Sequence, residues 1–295
     1  MDSASLIKLL NVVALAAIML AIGLSVRFEQ VAASLRRTRL VLLGVVANFV
    51  LVPLVTVALL HCFQAQPLVS AGFLILAVCP GAPVGPSFTS VAKGDVSIAT
   101  GAMVVLAGLS AVLAPTLLTV LLRWIVPANE LTFDYLGIVK ILLVTQLLPL
   151  GVGLAAHEWL PKLADRIARP LALLANVLLL ALVGLILSEQ FETLRAIRPL
   201  AWLGMLILLL ASLIIGWCCG GSNRGARRAL AVTTGVRNAA VGLAIATTNF
   251  AGTPAVTAVV AYALVAIFGS LAFAVVVGKL TSRRGEDERT ESVAS

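Results

Sequence analysis

The sequence predicts an all-α membrane protein of nine transmembrane helices, two of them broken, arranged as an inverted repeat. Composition is the first reason: 61 % of the 295 residues are hydrophobic, only 12 % are charged, and mean hydropathy is +1.10, far outside the range of a soluble domain. The second is that a window of about 19 residues finds nine apolar segments separated by short loops. The third is a pair of helix-breaking runs, each lying inside an apolar segment at a corresponding place in the chain.

The elements follow in order. Segment 6–26 has an apolar stretch longer than the core of a signal peptide, and its basic cluster comes after it, so it reads as a true span. Segments 39–60, 68–92 and 96–122 complete a first block, of which the third member carries Pro80, Gly81, Pro83, Gly85 and Pro86. Segment 135–155 is a linking helix, with Lys140 close enough to its outer end to snorkel. Segments 168–187, 199–219, 227–249 and 254–278 form the second block, and "TTGVRN" interrupts its third member. The chain is thus one transmembrane domain with repeat halves at about 6–124 and 168–280. The tail 281–295 is polar enough to be disordered. An offset of five spans reverses the orientation of the second block, the pattern of an inverted repeat.

Charge placement sets the topology. With the N-terminus outside, inside loops hold 15 of the 21 Lys and Arg residues and outside loops hold 4, with Lys140 and Arg237 left within segments. Positive residues stay inside, so the chain is predicted N-out and C-in, with Asp2 and Ser295 on opposite faces of a cell membrane, the bacterial inner membrane being the expected one. The same loop distribution assigns the formal charge of +8 to the membrane surface and not to a nucleic-acid partner. Cys62, Cys79, Cys218 and Cys219 lack the spacing of metal ligands or of a disulfide framework and read as small packing residues. His61 and His157 sit at helix ends, as interfacial residues do.

Backbone groups left unsatisfied in lipid cost several kcal/mol each, so the two breaks can persist only where they are packed in protein or line a cavity. They mark the expected working site. Arg237 stands about ten residues from its segment start, roughly 15 Å deep at 1.5 Å per residue, with no Asp or Glu inside any of the nine segments. Placing an arginine there costs about 2.5–3.5 kcal/mol, which by default marks a pathway, although its guanidinium can equally satisfy carbonyls freed by the breaks. Ser87, Thr89 and Ser90, just past the first break, are candidates either for helix capping or for facing substrate. Thr247, Thr248 and Asn249 read as interface residues.

Beyond these features the residues resemble a known family. "IMLAIGLSVRFEQVAASLRRTRLVLLGVVANFVLVPLV", "CPGAPVGPSFTSVAKGDVSIAT" and "TTGVRNAAVGLAIATTNF" are similar to the bile acid:sodium symporters, over essentially the whole chain. The resemblance implies a core domain with two discontinuous helices crossing at their breaks, a panel domain that moves against it, and loss of the first helix of the ten-span form. It also exposes departures. Members that couple to sodium place Ser and Asn where this chain has Gly85 and Pro86, and Glu and Gln where it has Thr233 and Arg237. Hydroxyl ligands of the fourth helix align with Ala99 and Met103, while Asn48 keeps an amide at the place of a family glutamine.

The expected function is secondary transport of a small organic anion by alternating access, with Arg237 as a built-in cation where relatives bind a mobile one. Arg237, Asn238, Thr233, Thr234, Asn48, Ser87, Thr89, Gly85 and Pro86 are the expected substrate-binding set. No cofactor and no metal ligand set is expected, and a sodium requirement is doubtful because the hard oxygen ligands are gone. The alternatives are a sodium-coupled symporter and a metalloid oxyanion exporter using Cys79. An intramembrane enzyme is disfavoured: the sequence has no paired aspartates, no Ser with His at membrane depth and no H-E-x-x-H helix.

Overall fold

The computed structural model describes residues 3–125, 134–195 and 197–294, all in helices and short connections, with no strand among them. Asp2 and Ser295, used above to define topology, lie outside the described residues. The helices are α1 (Ser3–Ser25), α2 (Phe28–Arg36), α3 (Thr38–Cys62), α4 (Pro67–Ala77), α5 (Gly85–Val91), α6 (Val96–Ile125), α7 (Tyr135–Trp159), α8 (Pro161–Glu189), α9 (Phe191–Arg195), α10 (Pro199–Cys219), α11 (Arg224–Gly235), α12 (Ala239–Asn249) and α13 (Pro254–Ala294). Eight helical stretches are long and apolar enough to cross a membrane, counting α11 and α12 together.

The apolar segment expected at 68–92 is not one helix. It is divided into α4 and α5, and the 11 residues of α4 span only about 17 Å of a hydrocarbon core about 30 Å thick. Proline explains the division: Pro80, Pro83 and Pro86 lack the N–H that a continuing helix needs. Gly81 sits between them at φ +81°, and a Cβ there would lie 2.6 Å from the Ala107 amide nitrogen of α6. Only glycine allows that backbone and that approach. At its other end the chain departs from expectation too, since α13 continues through Ala294 into the polar stretch read as irregular. That stretch is rich in Arg and Glu, which are good helix formers and let an existing helix propagate.

Two spans carry a π-helical turn, Ala47–Leu51 in α3 and Leu143–Leu147 in α7. In each case a proline, Pro53 or Pro149, follows two residues after the turn ends and withholds a hydrogen bond from it. Each wide turn also contains a fully buried amide, Asn48 or Gln146. Gln146 donates to the Ser110 hydroxyl of α6 at 2.9 Å and also to the Ala107 carbonyl.

α1 packs along α7 and α8, while α3, α4, α6 and α10 to α13 pack among themselves. Gly23 and Gly153 let the α1 and α7 backbones meet, because a Cβ at Gly23 would lie 2.8 Å from the Gly153 Cα. His157, expected at the interface, is instead buried beside α1. Its Nδ1 lies 2.6 Å from the Leu24 carbonyl, a group left without a helical partner near the end of α1, so Nδ1 carries the proton. Burial is unequal in a way that places the site. The window of α8 is 17 % buried, whereas that of α11 and α12 is 100 % buried. The broken helix is therefore walled off by protein on every side, as its freed backbone groups require.

Candidate functional site

The two breaks meet. The Asn238 amide N–H donates to the Cys79 carbonyl at 2.8 Å, and Asn238 Nδ2 donates to the Gly81 carbonyl at 3.3 Å. The Asn238 side-chain oxygen accepts from the Val241 N–H and caps α12. One residue thus starts a half-helix and satisfies two carbonyls of the opposite break.

Arg237, beside it, is 1 % exposed. Its NH1 donates to Asn48 Oδ1 at 3.1 Å and to the Ala77 carbonyl, where α4 ends, at 3.4 Å; its NH2 donates to the Thr234 carbonyl at 2.6 Å. Asn48 is held in place from its other side, with Nδ2 donating to the Gly44 carbonyl at 2.9 Å and to Thr234 Oγ1 at 3.2 Å. The π turn of α3 thereby presents an amide oxygen to a cation that also bonds to α11 and to the end of α4. The guanidinium has three neutral oxygens around it and no carboxylate among its bonds. Tyr262 of α13 brings its hydroxyl close to the guanidinium. The tyrosine ring packs on Phe73 with centroids 5.6 Å apart.

The nine residues expected from the sequence separate into groups. Arg237, Thr234 and Asn48 form one bonded cluster, and Asn238 beside it bonds to Cys79, Gly81 and Val241. Thr233 returns its hydroxyl to the Ala229 and Leu230 carbonyls, and its methyl faces Gly85, where a Cβ would come within 3.4 Å. Pro86 is half-buried in the first turn of α5. Ser87 is exposed, and the buried Thr89 hydroxyl lies at the far end of α5 near Gly94, with no bond to the cluster. Tyr262 was missed. A polar aromatic in a long apolar run was its signal, and one of only two tyrosines in the chain. Thr247, expected at the interface, is buried and accepts from Asn11 Nδ2 of α1 at 3.5 Å.

Broken helices that meet inside a sheath of apolar spans, around a buried charge, define a multi-pass membrane protein built around its crossing. The profile of the sodium bile acid symporter family matches residues 12–197, and the chain belongs to that family. Relatives include a probable sodium/metabolite cotransporter, BASS2, of rice chloroplasts, 26 % identical over 81 % of this chain and 56 % of its own length. The sodium-dependent transporter YocS of Bacillus subtilis is 22 % identical over 81 % of this chain and 74 % of its own. The sodium-dependent organic anion transporter of cattle is 28 % identical over 67 % of this chain and 50 % of its own. The chain therefore spans little more than half the length of the rice relative. These names denote transporters and not enzymes.

Proposed function

We propose that this protein is a secondary transporter of a small organic anion that works by alternating access and does not need sodium. The observation that carries this reading is the Arg237 guanidinium bonded to Asn48 Oδ1 and the Ala77 and Thr234 carbonyls at the meeting of the breaks. A ring of neutral oxygens is what a hard monovalent cation needs, and here a tethered cation fills it. A sodium ion 4 Å away would be repelled by about 4 kcal/mol at an effective dielectric near 20, enough to empty a weak site. The fixed charge and the positive end of α12 together favour a carboxylate or sulfonate beside the crossing, with Asn238, Thr233, Gly85 and Pro86 closest to the break and Ser87 and Thr89 farther along α5.

In this reading α1, α7 and α8 form the panel and the remaining spans the core, while an inverted repeat relates segments 6–124 to segments 168–280 across the linking helix 135–155. The lipid bilayer is the immediate partner, and the chain sits N-out and C-in, in a bacterial inner membrane. The test is a thermal-shift screen of purified protein against carboxylates and sulfonates, in sodium and in choline. A bound anion stabilises by RT ln(1 + [L]/Kd), and the shift is expected to be equal in both salts. Stabilisation in sodium alone would refute sodium independence and favour the second reading, a sodium-coupled symporter, which the relatives' names support. A metalloid exporter would instead require the fully buried Cys79, and loss of arsenite transport in Cys79→Ala vesicles would identify it.

A further inference from the structure

We infer that Arg237 leaves the empty carrier positively charged at the crossing, so that an inside-negative potential acts on its return step and drives net outward movement of the anion. The inference rests on the transporter reading above and adds to it a direction and a driving force.

Three features carry it. An arginine side chain stays protonated in proteins, so the charge is permanent. Among the described residues no carboxylate pairs with it: its bonds go to neutral oxygens, and the one ion pair there, Arg37 with Asp95 at 3.3 Å, joins the loop before α3 to the start of α6. The charge is also fixed to the crossing itself, because Asn238 ties the second break to Cys79 and Gly81 of the first. Whatever moves the breaks relative to the membrane field moves the guanidinium with them.

The charge balance of a cycle then follows. A mobile cation binds with substrate, crosses and leaves, so the empty carrier returns without it. A tethered cation cannot leave. It crosses with the bound anion, where a single negative charge neutralises it, and crosses back alone. Its two passages cancel, and the net charge moved per turnover is the substrate's own. An inside-negative potential favours exit of that negative charge, and it acts on the empty step, in which a positive carrier swings from outward-facing to inward-facing. For one charge crossing the whole field the bias is roughly fifty-fold per 100 mV, and proportionally smaller in the exponent for part of the field.

Because the empty step carries the charge, the test needs no substrate. Voltage steps are applied to giant proteoliposomes containing the full-length protein in choline chloride. In parallel, spin labels at Lys8→Cys and Thr248→Cys, in a Cys62→Ser, Cys218→Ser background, report the distance between the outer ends of α1 and α12. The expected result is two label distances together with a saturating transient charge displacement. Arg237→Lys retains the transient; Arg237→Gln loses it. Should Arg237→Gln fail to assemble, Asn48→Asp sets a carboxylate where Asn48 Oδ1 stands 3.1 Å from Arg237 NH1, and it is expected to lose the transient as well. Two distances without a transient, or a transient unchanged in the charge-neutralised variants, would overturn this inference and leave the carrier intact. A single distance with no transient would end the carrier reading itself, and this inference with it.

Discussion

Asn48 offers the sharpest check on the cluster, because its side-chain oxygen accepts from the buried guanidinium. Asn48→Ala removes three bonds at once: the charge-assisted one from Arg237 at 3.1 Å and those to the Gly44 carbonyl at 2.9 Å and Thr234 Oγ1 at 3.2 Å. A hydrogen bond to a charged group contributes about 1.5–3 kcal/mol and each neutral one about 0.5–1.5 kcal/mol, so the loss sums to roughly 2.5–6 kcal/mol. At roughly 2–4 °C per kcal/mol, Tm in detergent should fall by about 5–24 °C at a fixed scan rate. Stability loss alone would also follow from a cavity, so the decisive measurement is a double-mutant cycle with Arg237→Met. If the guanidinium and the amide are partners, the double variant recovers roughly 1.5–3 kcal/mol relative to the sum of the singles. Additive losses would refute the bond and leave Arg237 pointing elsewhere.

Three further outcomes are expected. Gly81→Ala forces a Cβ to 2.6 Å from the Ala107 nitrogen at φ +81°, so the variant should be recovered at sharply reduced yield as monodisperse protein by size exclusion, while Gly108→Ala, with open space at its Cβ, behaves as wild type. Asn238→Ala deletes both the α12 cap and the bond to Gly81, and should cost about 2 kcal/mol in thermal stability, whereas Asn238→Asp keeps the cap and loses less; equal losses would show that capping contributes nothing. Single cysteines placed in 27–38 and in 283–295, labelled with an impermeant maleimide in a Cys62→Ser, Cys218→Ser background, should react from the same membrane face, the inside; opposite faces would overturn the charge-based topology.

Much of the site was legible because its residues violate the local rules of an apolar helix. A run of three prolines and two glycines, and an arginine with no acid nearby, are conspicuous against Leu, Val and Ala. What those residues bond to was not legible. Asn48 and Arg237 stand 189 residues apart, and nothing in either neighbourhood names the other. Ser87 was included for lying near a break, but the helical phase of α5 turns it outward. The π turns escaped notice because Pro53 and Pro149 can also bend or end a helix, and only the packing around Asn48 and Gln146 decides which. His157 was misplaced for a similar reason: a histidine at a helix end looks interfacial unless a neighbouring helix brings it a carbonyl.

The sequestration of α11 and α12 also constrains how the protein can be made. Their span has a mean hydropathy of 1.4, the lowest of the eight, against 2.0 to 2.7 for the others, and it carries a guanidinium that costs about 2.5–3.5 kcal/mol to place at a helix centre. Released into lipid alone, it would be the least willing of the spans to stay. Its partners arrive from both directions along the chain: Asn48 and the Ala77 carbonyl are synthesised long before it, and Tyr262 of α13 follows it. The earlier spans must therefore wait as an unfinished shell with an open slot, and the slot closes only once α13 has emerged behind the arginine. Insertion and folding are one event for this span, and a translation product halted after α12 should be the form that quality-control proteases remove.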